Sequence, residues 1–207
     1  RLDSFEVDGN GDGVPDGWYN LRDAAWIEGG IGRGSRCFRF ENAGPGRPAR
    51  ASRAFGIDGR RVEAIVISAW VRAERIGPGE RLGDDPGIAI DLLGPELRAV
   101  RRGLLGPWTK TIGTKWTRVA KRIAVPPETR DAILSIGLLG ATGLLEIDDL
   151  GIEPVPIGTE SEANLVTNGD FELGDPAPAG SDPEPARHPI GDEGQHGAHR
   201  DGKHPRP

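Results

Sequence analysis

The chain has 207 residues and a formal net charge of -6 at pH 7. This suits one sizeable domain or two small ones, and it argues against nucleic-acid binding, because a nucleic-acid footprint is basic. No run approaches the roughly 18 apolar residues of a membrane span, so we expect no membrane insertion. The single cysteine, Cys37, excludes an internal disulfide. It has no His nearby that could activate it, so it is interpreted as a small buried apolar residue.

The first patterned segment, Asp8–Asp16, reads DGNGDGVPD. Its oxygen-bearing side chains and its glycines follow the first nine positions of a calcium-binding loop. Tyr19 stands where such a loop needs its last Glu, and no flanking helix is predicted, so the segment is not an EF-hand. Hard oxygen ligands favour Ca²⁺, whereas the alternative is a run of Asx turns. The predicted ligands are Asp8, Asn10, Asp12, the carbonyl of Val14, and Asp16.

Residues 1–155 read as short strands separated by Gly/Pro turns. Trp116–Val125 alternates polar and apolar residues as a half-buried strand does, whereas Ala64–Val71 is continuously apolar and suits a central strand. Roughly ten strands, with turns about every 8–15 residues, predict an all-β fold, an antiparallel two-sheet jelly-roll β-sandwich. The clearest predicted strands are Cys37–Phe40, Ala64–Val71, Ile88–Leu92, Trp116–Val125, Ala132–Leu139 and Leu144–Ile152.

The composition changes after residue 155. Residues 156–163 are interpreted as a linker. Within residues 164–175, Asp170-Phe-Glu172 repeats Ser4-Phe-Glu6 about one domain length later, which predicts the opening strand of an incomplete second module. Residues 176–207 hold almost nothing apolar, and we expect them to be a disordered tail. Because the chain contains no Met, we expect it to be a processed or excised piece of a longer protein.

Three motifs occur in order: Phe5-Glu6, then Lys115-Trp-Thr-Arg-Val with Val125-Pro126, then Leu145-Glu-Ile-Asp-Asp-Leu-Gly-Ile152. Together they resemble the jelly-roll carbohydrate-binding modules found beside bacterial xylanases and glucanases, which are galactose-binding-like β-sandwiches. The resemblance covers residues 1–155, and residues 164–175 resemble the start of another module. It implies a structural Ca²⁺ held between the first and last strands, here by Glu6 with Asp148 or Asp149.

The implied calcium site is physically reasonable, because adjacent carboxylates repel unless a cation or a proton lies between them. On a strand only one of Asp148 and Asp149 faces inward. We favour Asp149, because Leu145 and Ile147 would share its face. The alternative is that both aspartates are solvated strand-end residues. Whether this site shares one ion with the Asp8–Asp16 loop stays open.

A sugar site needs aromatic faces for the pyranose ring and polar groups for its hydroxyls. Trp70 is interpreted as a core residue and Trp116 as structural. Trp18 is interpreted as the residue that fixes the Asp8–Asp16 loop to the sandwich. Arg72 and Asp91 lie on predicted strands, where they supply hydrogen bonds or form ordinary surface pairs. The predicted ligand-binding residues are Trp26, Trp108, Tyr19, Arg72 and Asp91.

The patterned domain shows no catalytic constellation, since it has no His, its serines lack triad partners, and no pair of carboxylates is singled out. We therefore predict no enzyme, but a noncatalytic, calcium-stabilised carbohydrate-binding module of a larger secreted or cell-surface bacterial protein. It would be a monomer within a multidomain chain, with a poly- or oligosaccharide as partner. Two alternatives stay open: a structural or adhesive spacer without sugar affinity, and a glycan-active hydrolase domain. The arginine-rich runs Arg47–Arg53 and Arg98–Arg102 are interpreted as solvated faces, or as contacts for acidic polysaccharides such as uronates.

Overall fold

The computed structural model describes residues 5–31, 36–109 and 112–158. These ranges contain ten strands and one short 3₁₀ turn, Pro95–Leu97, so the all-β prediction is confirmed. The strands are β1 Tyr19–Arg22, β2 Ala24–Glu28, β3 Arg36–Asn42, β4 Arg50–Gly56, β5 Val62–Gly77, β6 Gly87–Leu93, β7 Ala99–Leu105, β8 Thr117–Ala124, β9 Asp131–Gly137 and β10 Thr142–Pro156.

The strands form two five-stranded sheets. Sheet A has the order β1-β4-β9-β6-β7, and sheet B has the order β2-β3-β10-β5-β8. The paired strands are antiparallel. From β3 onward the chain crosses between the sheets at almost every connection, and β3 lies beside β10. This is the topology of a jelly-roll β-sandwich, as predicted.

Period-two alternation fills the space between the sheets. In β6, Ile88, Ile90 and Leu92 are fully buried, and in β5 the inward residues run from Ile65 to Ala73 at every second position. Each large aliphatic side chain buried here contributes about 1.5–3 kcal/mol relative to an exposed one. The sandwich is therefore held mainly by this apolar layer, and both outer faces are left for other roles.

Four aromatic rings fix the Asp8–Trp18 segment to the core. Phe38 lies at the centre, with ring centroids 4.8 Å from Phe5, 5.3 Å from Trp18 and 5.8 Å from Phe40. The Phe5 and Trp18 contacts are edge-to-face, the arrangement that aromatic quadrupoles favour. Trp18 is 7% exposed, so the prediction that it attaches the loop to the sandwich is confirmed.

A bulge in β10 overturns the choice between the two closing aspartates. Asp149 has φ 46°, and the register with β5 shifts between Asp148 and Gly151. The bulge breaks the two-residue alternation, so Asp149 does not continue the inward face of Leu145 and Ile147. Asp148 is the buried carboxylate, at 1% exposure, and the preference for Asp149 was wrong.

β10 ends at Pro156, close to the predicted domain boundary at 155. The predicted opening strand of a second module and the disordered tail lie outside the described residues, as does most of the predicted linker. No helix in the described ranges is long and apolar enough to cross a membrane.

Candidate functional site

The five residues predicted to bind a ligand do not come together. Trp108 is 3% exposed and packs in the core, and its backbone N–H donates to the Pro86 carbonyl at 3.1 Å. A ring buried this deeply cannot stack on a sugar, so its assignment was wrong. Trp26 is half-buried: its Nε1 donates to the Phe5 carbonyl at 2.7 Å, and the Arg36 guanidinium lies 4.0 Å from its ring centroid. These contacts give Trp26 a structural role at the sheet edge.

Arg72 lies on the outer face of sheet B, where it forms part of a charged ladder. Glu146 is 1% exposed, and its Oε1 accepts from Arg39 Nε at 2.9 Å and from Arg39 Nη2 at 2.7 Å. Arg72 Nε donates to the other carboxylate oxygen, and the Arg72 guanidinium lies 4.6 Å from the Trp116 ring centroid. Burial acts to raise the pKa of Glu146, but the hydrogen bonds from Arg72 and Arg39 hold it below its ordinary value. Arg72 is thus engaged on both sides, by a carboxylate and by an aromatic ring.

The same face contains Trp70 and Cys37. Trp70 points outward, because Ala69 and Val71 take the inward positions of β5, and it is half-buried. The interpretation of Trp70 as a core residue was therefore wrong. Cys37 is fully buried, and burial, followed by the nearby charges of Glu146 and Asp148, raises the pKa of its thiol to about 12. The interpretation of Cys37 as a buried apolar residue is confirmed.

Two carboxylates meet beneath the connection between β2 and β3. The Asp148 carboxylate accepts from the backbone N–H groups of Asp149, at 2.7 Å, and of Ile31. Burial, helped by the charges of Glu6 and Asp149, raises the pKa of Asp148 to about 6, although the two backbone hydrogen bonds act to lower it. The Oε1 atom of Glu6 is buried and has no hydrogen-bond partner in the described residues. This pair therefore presents an unsatisfied buried oxygen and accumulated negative charge, which fit a cation.

The Asp8–Asp16 loop satisfies most of its own oxygens. The Asp8 carboxylate accepts from the backbone N–H groups of Gly11, Asp12 and Gly13 at 2.8–3.2 Å. Asp12 accepts from the Val14 N–H at 2.8 Å and from the Asn10 amide at 3.0 Å, and the Asp16 carboxylate accepts from the Gly9 N–H. No group of three or more His, Cys, Asp or Glu in the described ranges is arranged to hold a metal. Calcium at this loop stays a prediction.

The outer face of sheet A holds a polar groove of about 450 Å³, called here the arginine groove. Strands β4, β6, β7 and β9 contribute to it, together with the loops before β6 and after β9. Asp91 is a predicted ligand-binding residue that lies in the groove, and Tyr19 lies on the same face, 38% exposed, at the edge strand. The lining residues are Arg50, Arg81, Leu82, Gly83, Asp84, Asp91, Arg102, Ser135 and Leu139.

Small side chains make room for the arginine groove. One cross-strand row runs Tyr19, Ser52, Ser135, Ala89 and Leu104, so that the three central strands present only Ser and Ala between the larger end residues. The hydroxyls of Ser52 and Ser135 lie 3.4 Å apart. With strands about 4.8 Å apart, β4 and β7 lie about 14 Å from each other. The row therefore lies between Arg50 on one side of the groove and Arg102 on the other.

The charges in the arginine groove are only partly paired. Arg102 Nη1 lies 3.4 Å from the Asp91 carboxylate, and the Asp84 carboxylate accepts from the backbone N–H of Arg81 at 3.0 Å. The side chains of Arg50 and Arg81 are exposed and form no ion pair or hydrogen bond with other described residues. Two guanidinium groups are therefore available to a ligand.

A second, apolar cleft of about 630 Å³ lies at one end of the sandwich. It is formed where β4 and β10 end and β5 begins, with Asp58 and Arg61 among its polar residues. Hydrogen bonds from Arg60 lower the pKa of Asp58 to about 2. The apolar lining residues are Phe55, Ile57, Val62, Ile65, Ile152, Pro154 and Pro156.

No protein-family model and no curated protein matches the sequence. Similar solved structures include the enzymatically active domain of bacteriophage CBA120 tailspike protein 4, which is 13% identical, with a TM-score of 0.48 and coverage of 68% of this chain and 20% of that one. A second similar structure contains the CBM22-1 and GH10 modules of a Clostridium thermocellum endo-1,4-beta-D-xylanase in complex with xylohexaose. It is 19% identical, with a TM-score of 0.48, and the match covers 73% of this chain and 27% of that one. The CBM22-1 xylan-binding domain of Paenibacillus barcinonensis Xyn10C is 10% identical, with a TM-score of 0.48, and the match covers 74% of this chain and 92% of that one.

Carbohydrate-binding modules form most of these neighbours. This chain spans about a fifth of the tailspike domain and about a quarter of the xylanase piece.

Arg50, Arg81 and Ser135 line the groove but are not among the site residues that the sequence predicts. A partial signal existed, because Arg50 and Arg102 belong to the two arginine-rich runs. Arg81 carried no signal, since it lies in the loop between β5 and β6, and only the fold brings it to the end of sheet A.

Proposed function

We propose that the protein is a noncatalytic glycan-binding module and that the arginine groove is its binding site. The observation that carries the proposal is the convergence of guanidinium donors, carboxylate acceptors and the Ser135 hydroxyl in one open groove on sheet A. Glycan hydroxyls donate and accept hydrogen bonds, so a groove with both kinds of partner suits them. The volume of about 450 Å³ falls in the range of about 300–1,000 Å³ that is typical of small-ligand sites.

The hydrogen-bond partners of the two groove carboxylates, Asp84 and Asp91, favour binding over hydrolysis. Glycoside hydrolysis needs two carboxyl groups flanking the scissile bond, one as acid and one as base or nucleophile. Asp84 accepts from the backbone of its own loop, and Asp91 lies beside Arg102. Each carboxylate thus already has a partner within the groove, and its remaining lone pairs can still accept hydrogen bonds from a ligand.

The experiment is isothermal titration calorimetry with a panel of soluble glycans. The panel includes xylohexaose, which is bound in the similar Clostridium thermocellum structure, and xylan, which the similar Paenibacillus barcinonensis domain binds. We expect at least one glycan to bind and Arg102→Gln to weaken it. Arg118→Gln, which removes an exposed arginine from the outer face of sheet B, is the matched control. Binding that responds to Arg118→Gln and not to Arg102→Gln would refute this location, and no binding to any glycan would refute the function.

We also propose that Ca²⁺ stabilises the fold through Glu6 and Asp148. The buried, unpartnered oxygen of Glu6 and the charge accumulated at Asp148 support this. When bound, the ion would supply positive charge between two carboxylates that otherwise repel. Any ligand that binds only the folded state raises its stability, by about 2.7 kcal/mol at a hundredfold excess over Kd.

Thermal unfolding with Ca²⁺ and with chelator tests the calcium proposal. We expect a higher Tm with Ca²⁺, and we expect Glu6→Gln to remove most of the difference. Asp12→Asn tests the Asp8–Asp16 loop separately. A calcium response that is lost only in Asp12→Asn would move the ion to the loop, and no response in the wild-type protein would leave both places without one.

The second candidate function is a structural spacer, and the apolar end cleft is the observation that favours it. The cleft lies where β10 ends and the chain continues, so it could pack against a neighbouring part of a longer protein. A protein that responds to no glycan would shift the conclusion to this function. We place either function in a secreted or cell-surface protein, and detection of the native protein in the secreted or surface fraction of its cells is the test.

A further inference from the structure

We propose that the arginine groove selects glycans that carry carboxylate groups, that is, uronic acid residues, and that Arg50 and Arg81 bind the carboxylates. This rests on the proposed glycan-binding function and names the class of ligand for the same site. Three independent features of the groove lead to it: its charge, its lack of aromatic platforms and the position of its exposed apolar residue.

The charge of the groove opposes the charge of the chain. The protein as a whole has a net charge of -6, yet the groove lining includes three arginines against two aspartates. One aspartate lies beside Arg102 and the other holds its own loop, so Arg50 and Arg81 have no counterion in the described residues. A guanidinium presents a planar fork of donors that matches a carboxylate with two parallel hydrogen bonds.

The aromatic residues argue against a neutral glycan as the preferred ligand. A neutral pyranose is held largely by stacking on aromatic rings. All five tryptophans lie elsewhere: Trp18 and Trp108 are in the core, Trp26 is at the edge of sheet B, and Trp70 and Trp116 are on its outer face. The aromatic side chain on this face of sheet A is Tyr19, at its edge. The groove must therefore derive its affinity mainly from charge and hydrogen bonds.

Leu82 and the serine pair favour a sugar over another anion. Leu82 is fully exposed at the tip of the loop next to Arg81, where it can contact the apolar face of a pyranose ring. Ser135 lines the groove in the middle of the face, and its hydroxyl lies 3.4 Å from that of Ser52, which is buried at 3% exposure. A ligand that combines carboxylates, hydroxyls and an apolar ring face uses all of these groups. A simple polyanion uses only the arginines.

The test compares acidic glycans with their own neutral forms. Polygalacturonate, alginate and glucuronate-substituted xylan are each titrated into the protein in the native form and after methyl esterification of the carboxylates. We expect at least one native polymer to bind, its ester to bind at least about tenfold more weakly, and the affinity to fall as salt rises. Poly-glutamate is the polyanion without sugar rings, and we expect it to bind more weakly than the best glycan.

Two variants locate the effect. Arg50→Gln and Arg81→Gln are each expected to weaken binding of the acidic polymer by about tenfold, because each removes a charge-assisted pair. Arg118→Gln, on the opposite outer face, removes the same charge and is expected to change affinity less than twofold. All three positions are exposed, so Tm should stay unchanged, and a lost signal cannot be attributed to unfolding.

The outcomes separate this inference from the function on which it rests. Equal binding of a polymer and its ester, or binding only to neutral glycans, would overturn the preference for carboxylates and leave glycan binding intact. Equal binding to poly-glutamate would overturn the preference for sugars. No binding to any polymer would overturn both proposals.

Discussion

Replacing Glu146 by Gln is expected to destabilise the fold strongly, although the change keeps the side-chain shape. Glu146 is 1% exposed and accepts three hydrogen bonds from two arginines. The amide keeps one acceptor oxygen but loses the charge, so Arg39 and Arg72 remain without a counterion. Breaking a fully buried pair on one side costs about 3–5 kcal/mol. Because the Arg39 and Arg72 side chains are 40% and 31% exposed, water compensates them in part, and we expect about 2–3 kcal/mol.

For a domain of this size, that loss corresponds to a fall in Tm of about 5–10 °C. Thermal and urea unfolding followed by circular dichroism measure it. Glu74→Gln is the matched control, since Glu74 also pairs with an arginine, Arg75, but their side chains are 45% and 74% exposed. An exposed pair is worth about 0–1 kcal/mol. If Glu146→Gln and Glu74→Gln lowered the free energy of unfolding by the same amount, the ion pairs of Glu146 with Arg39 and Arg72 would not have the structural role assigned to them.

The stability lost in Glu146→Gln should also depend on pH. The pKa of Glu146 is lower in the folded protein than its ordinary value of 4.5. Its contribution to stability is therefore fully present above pH 4.5 and is lost as the pH falls through the folded pKa. The difference in unfolding free energy between the wild-type protein and Glu146→Gln should be largest near pH 7 and should shrink below pH 4.5. A difference that is constant down to pH 3 would contradict the assigned ionisation.

Three further predictions concern buried residues. Cys37 is fully buried, and its pKa is raised to about 12. It should therefore not react with a thiol reagent at pH 8 until denaturant unfolds the protein. Fast labelling of the folded protein would show that the thiol is accessible to solvent. Phe38→Ala should cost about 3–5 kcal/mol in urea unfolding, because it leaves a cavity among three other rings; a loss below 1 kcal/mol would mean that the cluster is loosely packed. Gly137→Ala should lower Tm, because Gly137 has φ 133° and a Cβ there would lie 2.4 Å from the Ala49 carbonyl; unchanged stability would contradict that backbone.

The strands that the sequence predicts are those with large apolar side chains at regular spacing. β6 and β9 are examples, since Ile88, Ile90, Leu134 and Ile136 mark the buried face directly. β4 and β7 escape prediction because only one inward position of each holds a large apolar residue, Phe55 and Leu105, whereas others hold Ala51, half-buried Arg53 and Gly103. Such residues give a weak period-two signal, and these strands are recognisable only through their pairing with β9 and β6.

Site prediction fails for a different reason, because it depends on which face a residue occupies. The lone tryptophan of a polar loop, Trp108, turns inward, whereas Trp70 in the most apolar strand turns outward. The arginine groove draws on β4, β6, β7, β9 and two loops. No spacing along the chain relates Arg50, Arg81 and Asp91, since the folding of sheet A alone brings them together.

The outer face of sheet B holds a buried ion-pair ladder, whereas the outer face of sheet A holds exposed arginines around an open groove. On sheet B, Glu146 is buried between Arg39 and Arg72, and Trp116 covers the Arg72 guanidinium, so these charges satisfy one another. With 32 acidic residues against 26 Lys and Arg, the chain has enough carboxylates to pair the arginines of sheet A as well. It leaves Arg50 and Arg81 unpaired, beside small side chains that keep the groove open. Exposed arginines of this kind add little to stability, so replacing Arg50 or Arg81 should leave the fold intact, and a fall in affinity for the acidic glycan would then report the loss of a direct contact.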